Sequence, residues 1–378
     1  MSEVAALVEE VATRAGPWPK PVPFLANVEL LVDSCRRTGG LNATGRQVLH
    51  KAAVRHLRNL RDLQVHVDDH PDVARRRLEG PVVVTGLPRT GTTLLHNLLA
   101  LDPAHRVLRF WEALQPVPPA PGSSAAAAQQ ARAERWLDGF YRLVPEFRAI
   151  HPATATGPEE CDALLQNSFA SQHFDDMFDA EDYSAWLAGA PLVEEYRHYA
   201  LQLRVLSAGP TRWALKSPSH LGHLDALFAA LPGATVVICH RHPHEAVASY
   251  ASLVHTLRRA YSDAVSPAAI GCQALTRTAT AMQRALEVRD RAAIVDVRYH
   301  DLVADPVAAV RSVYERLGRP LEEAMAERIR EYAAANPRHR HGPHRYDLAQ
   351  FGLTGDDVDA AFAPYMERFG TLTVHFGS

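Results

Sequence analysis

The chain has 378 residues, 47% of them apolar, enough to bury the core of one large domain or of a domain with an elaboration. Its 40 Lys and Arg nearly balance 43 Asp and Glu, and the net charge of -3 excludes a global field that would draw nucleic acid or an anionic membrane. Any anion binding therefore has to come from the local placement of charge.

Residues 1–79 read as helical, with a Pro-rich interruption at 17–23, and Thr44 is placed to cap a helix through about residue 63. The first residues, MSEVAALVEE, carry acids where a signal peptide needs a basic segment. Pro81 to Thr85 (PVVVT) is a short apolar run that suits a buried parallel strand; a Gly-rich segment and then Leu94, Leu95, Leu98 and Leu99 at helical spacing follow it. Residues 116–130 are low in complexity and read as a mobile connection, with a helix from about 129 to 144 and another opening at Pro158. Helical patterns continue to about 207.

Strand-like runs return at RWAL (212–215), TVVIC (235–239) and AIVDV (293–297), separated by helices at roughly 220–231, 243–259 and 267–290. Asp305 and Pro306 open a further helix that ends at Gly318, and a last helix is expected over 356–369. Strands alternating with helices predict an α/β fold with a central parallel sheet, in which 100–210 is a large helical insertion able to cover a substrate. The greasiest stretch, 226–239, is broken by Pro232 and Gly233 and is too short for the roughly 20 apolar residues of a membrane span. Cys35, Cys161, Cys239 and Cys272 are far apart and form no CxxC pair, so they read as reduced, mostly buried thiols of a cytoplasmic protein, with neither a disulfide framework nor a zinc site.

The sharpest feature is Gly86-Leu87-Pro88-Arg89-Thr90-Gly91-Thr92-Thr93, between the PVVVT strand and a helix. Such a loop aims successive backbone N–H groups and a helix N-terminus at one point, a ready anion site. The two glycines let the backbone approach a phosphate, the threonines add hydroxyls, and Arg89 adds a forked cation. The spacing is that of a nucleoside-triphosphate loop, but Thr92 stands where that loop needs lysine. A second anion site is expected at the end of TVVIC, where Arg241 precedes Pro243 and Ser249 lies two turns into the next helix.

These motifs resemble the sulfotransferases that use 3′-phosphoadenosine 5′-phosphosulfate (PAPS). The similarity covers roughly 80–320 and, with PRTGTT and LKSP, is nearest to the bacterial and tyrosylprotein-like branches. It implies a P-loop-like three-layer fold, with a sulfotransferase domain over 80–378 after an N-terminal helical region over 1–79. It further implies that Arg89, Thr90, Gly91, Thr92 and Thr93 hold the 5′-phosphate of the donor, Arg241 and Ser249 its 3′-phosphate, and that Tyr299 in VDVRYHDLVADP touches it. The C-terminal stretch 336–378 is a basic, His-rich tail (336–346) and a helix, and His344, Arg345 and Tyr346 of the tail are placed to close over the nucleotide or to stay solvated.

Sulfuryl transfer needs nucleophile, sulfur and leaving oxygen in line and a cation where charge gathers on the leaving phosphate. The family has a lysine after the RWAL strand, which places that role on Lys216. The acceptor hydroxyl needs a base, and three residues compete. His151 lies in the helical insertion, Glu112 resembles the base of tyrosylprotein sulfotransferases in following Arg89 by 23 residues, and His220 resembles the Lys-x-His of cytosolic sulfotransferases with Pro-Ser added between. Glu159 and Glu160 read as ordinary acids of a first helical turn.

The expected co-substrate is PAPS, with product PAP and no metal. The expected acceptor is a small-molecule hydroxyl, apolar, aromatic or lipid-like, from the aromatic content of the insertion (Trp136, Phe140, Tyr141, Phe147, Phe169, Phe174, Phe178), with no nucleic-acid partner and no integral membrane segment. Two other functions share the anion loop. A phosphotransferase or nucleotide hydrolase would use Asp296 as a metal-binding acid, and a non-catalytic module would only bind nucleotide.

Overall fold

A computed structural model describes residues 2–120, 122–291, 293–336 and 347–369. The chain divides into two compact units, one made of Met1–Leu78, Leu108–Thr211 and Val254–Val265, the other of Glu79–Val107, Arg212–Leu253 and Ser266–Ser378. Residues 337–346, with His344, Arg345 and Tyr346, lie outside the described residues.

The second unit contains, among the described residues, one sheet of four strands: β1 (Val82–Gly86), β2 (Ala214–Lys216), β3 (Thr235–His240) and β4 (Ile294–Arg298). All pairings are parallel and the order is β2-β1-β3-β4; Val83 sits opposite both Leu215 and Val236, and Val237 opposite Val295. Every residue of β1 is buried, as expected of a short apolar run covered on both faces. Val82 and Val84 of β1 and Val237 and Cys239 of β3 point to one face. There they meet Leu95, Leu98 and Leu99 of the Thr92–Leu99 helix, Val310 and Val313 of the Pro306–Arg316 helix and Ile329 of the Glu323–Ala335 helix. The short Pro218–His223 turn packs on β1 and against the Pro267–Val288 helix.

Because the strands are parallel, their carboxyl ends share one edge of the sheet. Because the chain steps from β1 to β2 on one side and returns to β3 on the other, the strand order reverses at β1/β3. In open α/β sheets that reversal opens a crevice outside the carboxyl ends. The Gly86–Gly91 loop leaves β1 there, and Arg241 leaves β3.

Edge strand β4 is exposed at Asp296, where the alternative reading needed a metal ligand. The carboxylate instead accepts from Arg289 (2.6 and 3.2 Å) and meets His240 Nε2 at 2.8 Å; His240 Nδ1 in turn meets the Tyr365 hydroxyl at 3.0 Å. Burial raises the Asp296 carboxyl, but the hydrogen bonds and charges of His240 and Arg289 outweigh it and bring it down to about 2. A carboxylate held below its unfolded value, about 3.9, contributes stability that is present above that value and is lost as pH falls through the folded one. We expect Asp296→Asn to flatten the fall in stability between about pH 4 and pH 2, measured by urea unfolding; an unchanged slope would contradict this ion pair.

The first unit is helical. Glu3–Ala15 packs on Ala43–Asp69, and Leu25–Thr38 on Glu181–Gly189. At its centre the buried Asn167 amide meets His56 (2.8 Å), Asn59 (3.0 Å) and Gln202 (2.8 Å), which satisfies a polar cluster that would otherwise be costly.

Several boundaries differ from the sequence reading. The long helix starts at Ala43 and is capped by Asn42, whose side chain accepts from Gly45 N–H at 2.8 Å, so Thr44 lies inside the helix. Residues 125–130, read as a connection, belong to a 19-residue helix, Ala125–Leu143, because Ala and Gln are good helix formers with no Gly or Pro among them. No helix opens at Pro158. That residue bridges Arg109, Glu159 N–H donates to the Leu108 carbonyl at 2.8 Å, and the helix is only Asp162–Leu165. The last predicted helix is two, Gly355–Ala361 and Ala363–Phe369; Pro364 has no N–H to continue the first. Cys35, Cys161 and Cys239 are buried free thiols and Cys272 is exposed. Among the described residues no helix is long and apolar enough to cross a membrane.

Candidate active site

In the second unit, the loop after β1 is shaped by three residues with positive φ: Gly86 (145°), Arg89 (67°) and Gly91 (92°). A Cβ on Gly86 would lie 2.4 Å from the Cys239 carbonyl of β3, and one on Gly91 would lie 2.9 Å from the Tyr299 ring, so both positions require glycine. Leu95 N–H is the first to close on Gly91 (3.0 Å), which leaves the N–H groups of Thr92, Thr93 and Leu94 without a partner inside their helix. Thr93 is exposed and Thr92 buried. The Thr90 hydroxyl donates to the Leu87 carbonyl at 2.7 Å and stiffens the loop.

Arg241 joins this loop directly. Its Nη1 donates to the Arg89 carbonyl at 3.0 Å, its guanidinium lies 4.3 Å from the centre of the Tyr299 ring, and it pairs with Glu245 one turn on. Arg89, Gly91, Arg241 and Tyr299 are therefore one cluster at the crevice. Ser249 is 3% exposed, and its Oγ has no hydrogen-bond partner among the described residues. Glu245 was missed by the sequence reading, although an acid four residues after an arginine is a legible pairing signal.

Lys216 ends β2 and is only 2% exposed. The next residue, Ser217, donates its N–H to Val84 of β1 at 3.1 Å and caps the following turn by accepting from Ser219 N–H at 3.2 Å. His220, inside that turn, is fully buried.

The first unit holds the other two candidate bases. Glu112 is buried, and its carboxylate accepts from the Arg109 N–H at 3.0 Å, closing the start of the Phe110–Leu114 helix. His151 is partly exposed, with Nε2 3.3 Å from Glu159 Oε1. Burial raises the Glu159 carboxyl, but the charge and hydrogen bond of His151 prevail and lower it. Tyr141 clamps the segment, donating to the His151 carbonyl (2.9 Å) and accepting from Ala153 N–H (2.8 Å). Glu159, set aside as a helix-turn acid, thus sits in extended chain and braces His151. The turn from Thr154 to Gly157 brings the two together, and a His and a Glu eight residues apart carry no periodic signal. Phe169, Phe174 and Phe178 are core residues.

Residues 81–323 match the model of the sulfotransferase family. The chain is 23% identical over 309 residues to an enzyme named omega-hydroxy-beta-dihydromenaquinone-9 sulfotransferase Stf3 from Mycobacterium tuberculosis, covering 77% of this chain and 75% of that one. It resembles the crystal structure of sulfotransferase STF9 from Mycobacterium avium with a TM-score of 0.83 at 27% identity, over 98% and 97% of the two chains. For sulfotransferase STF1 from Mycobacterium tuberculosis the TM-score is 0.79 at 28% identity, over 96% and 99%. A parallel α/β sheet with a Gly-rich loop at its reversal point, matched over residues 81–323 to one family, identifies this chain as a member of the sulfotransferase family and as a sulfotransferase enzyme.

Proposed function

We propose that this sulfotransferase takes its sulfuryl group from PAPS and delivers it to the hydroxyl of an apolar, lipid-like alcohol. The observation that carries the donor is the Arg241–Arg89 junction, with Tyr299 beneath the guanidinium and the buried Ser249 hydroxyl two turns on. In this reading Arg89, Thr92, Thr93 and the N–H groups after Gly91 hold the 5′-phosphate, with Thr90 bracing the loop, and Arg241 and Ser249 hold the 3′-phosphate. The acceptor class is supported by the mycobacterial relative, whose name specifies a hydroxylated menaquinone.

The acceptor oxygen attacks sulfur in line, an O–S bond forms, and the S–O bond to the 5′-phosphate breaks. PAP leaves with the bonding pair, and Lys216 offsets the charge on the departing oxygen. His151 takes the acceptor proton, with Nε2 turned to Glu159 and Nδ1 left to accept it. Glu112, committed to its own helix start, and the buried His220 are the other candidates. The phosphotransferase reading loses its metal-binding acid, since Asp296 is engaged by Arg289 and His240.

Incubation with PAPS and a long-chain primary alcohol or hydroxylated quinol is expected to give a sulfate ester by mass spectrometry; ATP turnover with magnesium and no ester would overturn the reading. His151→Ala is expected to lower kcat by about 10²–10⁴-fold with PAP affinity unchanged. Unchanged kcat would pass the base role to Glu112 or His220.

A further inference from the structure

Arg241 stands between His240, the last residue of β3, and the Pro243–Tyr261 helix, and the residues on both sides of it are gripped by one part of the second unit. His240 is buried. Asp296 can only accept, so His240 Nε2 donates to it at 2.8 Å, and Nδ1 takes the hydrogen of the Tyr365 hydroxyl at 3.0 Å. The imidazole also stacks on the Tyr365 ring, with centroids 5.7 Å apart and planes 19° from parallel, and the Phe369 ring lies 4.2 Å away. The Ala363–Phe369 helix therefore engages one nitrogen and the face of this ring.

On the other side of Arg241, His244 Nε2 donates to Asp359 at 2.8 Å. The His244 ring lies so close to Gly355 that a Cβ there would come within 3.2 Å of it. Gly355 and Asp359 belong to the Gly355–Ala361 helix. Val358, Phe362 and Tyr365 are buried, and both short helices pack on the Pro267–Val288 helix. Apolar contacts alone would anchor such helices. A buried imidazole with both nitrogens hydrogen-bonded fixes direction as well as place.

We propose that the two C-terminal helices, through Tyr365 on His240 and Asp359 on His244, hold Arg241 where it receives the 3′-phosphate of the donor. Tyr365 and Asp359 are positioning residues that act on the nucleotide through Arg241. An arginine already fixed in place loses little freedom when the phosphate arrives, and affinity rises accordingly. The proposal rests on the donor reading above and adds that the 3′-phosphate site depends on residues 355–369.

Calorimetric titration of the full chain with PAP tests it, with the melting temperature and the steady-state constants for PAPS read alongside. Tyr365→Phe keeps the ring on His240 and removes only the hydroxyl. Asp359→Ala removes a carboxylate that is 59% exposed, so the chain still folds. Each is expected to weaken PAP binding by about three- to tenfold and to raise KM for PAPS in step, while kcat changes by less than about twofold. Asp359→Glu, which keeps the carboxylate, is expected to stay closer to wild type than Asp359→Ala. In an Arg241→Ala background, Tyr365→Phe is expected to cost no further affinity, because its effect runs through that guanidinium. A lower melting temperature with unchanged PAP affinity would overturn the proposal and leave the helix pair a structural support only. Losses that add to that of Arg241→Ala would overturn it as well. Failure of the donor reading appears separately, as a wild-type chain that does not bind PAP or an Arg241→Ala variant that binds it normally.

Discussion

Arg241→Ala is expected to weaken PAP binding by at least about a hundredfold, the equivalent of roughly 3 kcal/mol for a lost charge-assisted phosphate contact. Three effects act in the same direction. The guanidinium that would meet the 3′-phosphate disappears, the Arg89 carbonyl loses the donor 3.0 Å away that ties the first loop to the second, and Glu245 is left with an unopposed carboxylate beside an anion. The double variant Arg241→Ala, Glu245→Ala separates the last effect: it should recover part of the affinity, because repulsion is removed while the missing contact is not restored. Calorimetric titration with PAP reads both. Near-normal affinity in the single variant would remove Arg241 from the donor site.

The second large effect is expected at Lys216. Lys216 is buried at the end of β2, and in the proposed mechanism it would act on charge that develops only as the S–O bond breaks, so its removal would cost the transition state more than the ground state. Methionine keeps the length and avoids a cavity. Lys216→Met is expected to lower kcat by about 10²–10³-fold while PAP affinity falls by no more than about tenfold. An equal loss in both would make Lys216 a binding residue only, and unchanged turnover would remove it from the chemistry.

Much of the fold is written locally. Val82 to Thr85 and Thr235 to Cys239 are uninterrupted apolar runs bounded by breakers, and both appear as strands shifted by at most one residue. The loop after β1 is legible because two glycines at fixed spacing interrupt a strand-to-helix passage, and their φ values need glycine.

Other features depend on partners distant in sequence. That β1 and β3 are neighbours is what lets Arg241 reach the Arg89 carbonyl, and no pattern within either segment encodes strand order. His151 and Glu159 meet because Pro158 and Glu159 pair with the chain at Leu108 and Arg109, a tertiary choice that overrode the helix-opening signal of Pro158. At Asn42 and Thr44 two good caps compete two residues apart. The earlier one wins because its extended backbone lets the side chain accept from Gly45 N–H. The alanines at 125–128 show the opposite limit: low complexity hides a strong helix former when composition is read without propensity.

A crystal structure of the full chain with PAP tests the shared-crevice account most directly. The 5′-phosphate should rest on the N–H groups of Thr92 and Thr93 beside Arg89, and the 3′-phosphate should touch both Arg241 and the Ser249 hydroxyl. A nucleotide bound with neither phosphate at these groups, or bound in the loop with its 3′-phosphate in solvent, would contradict it.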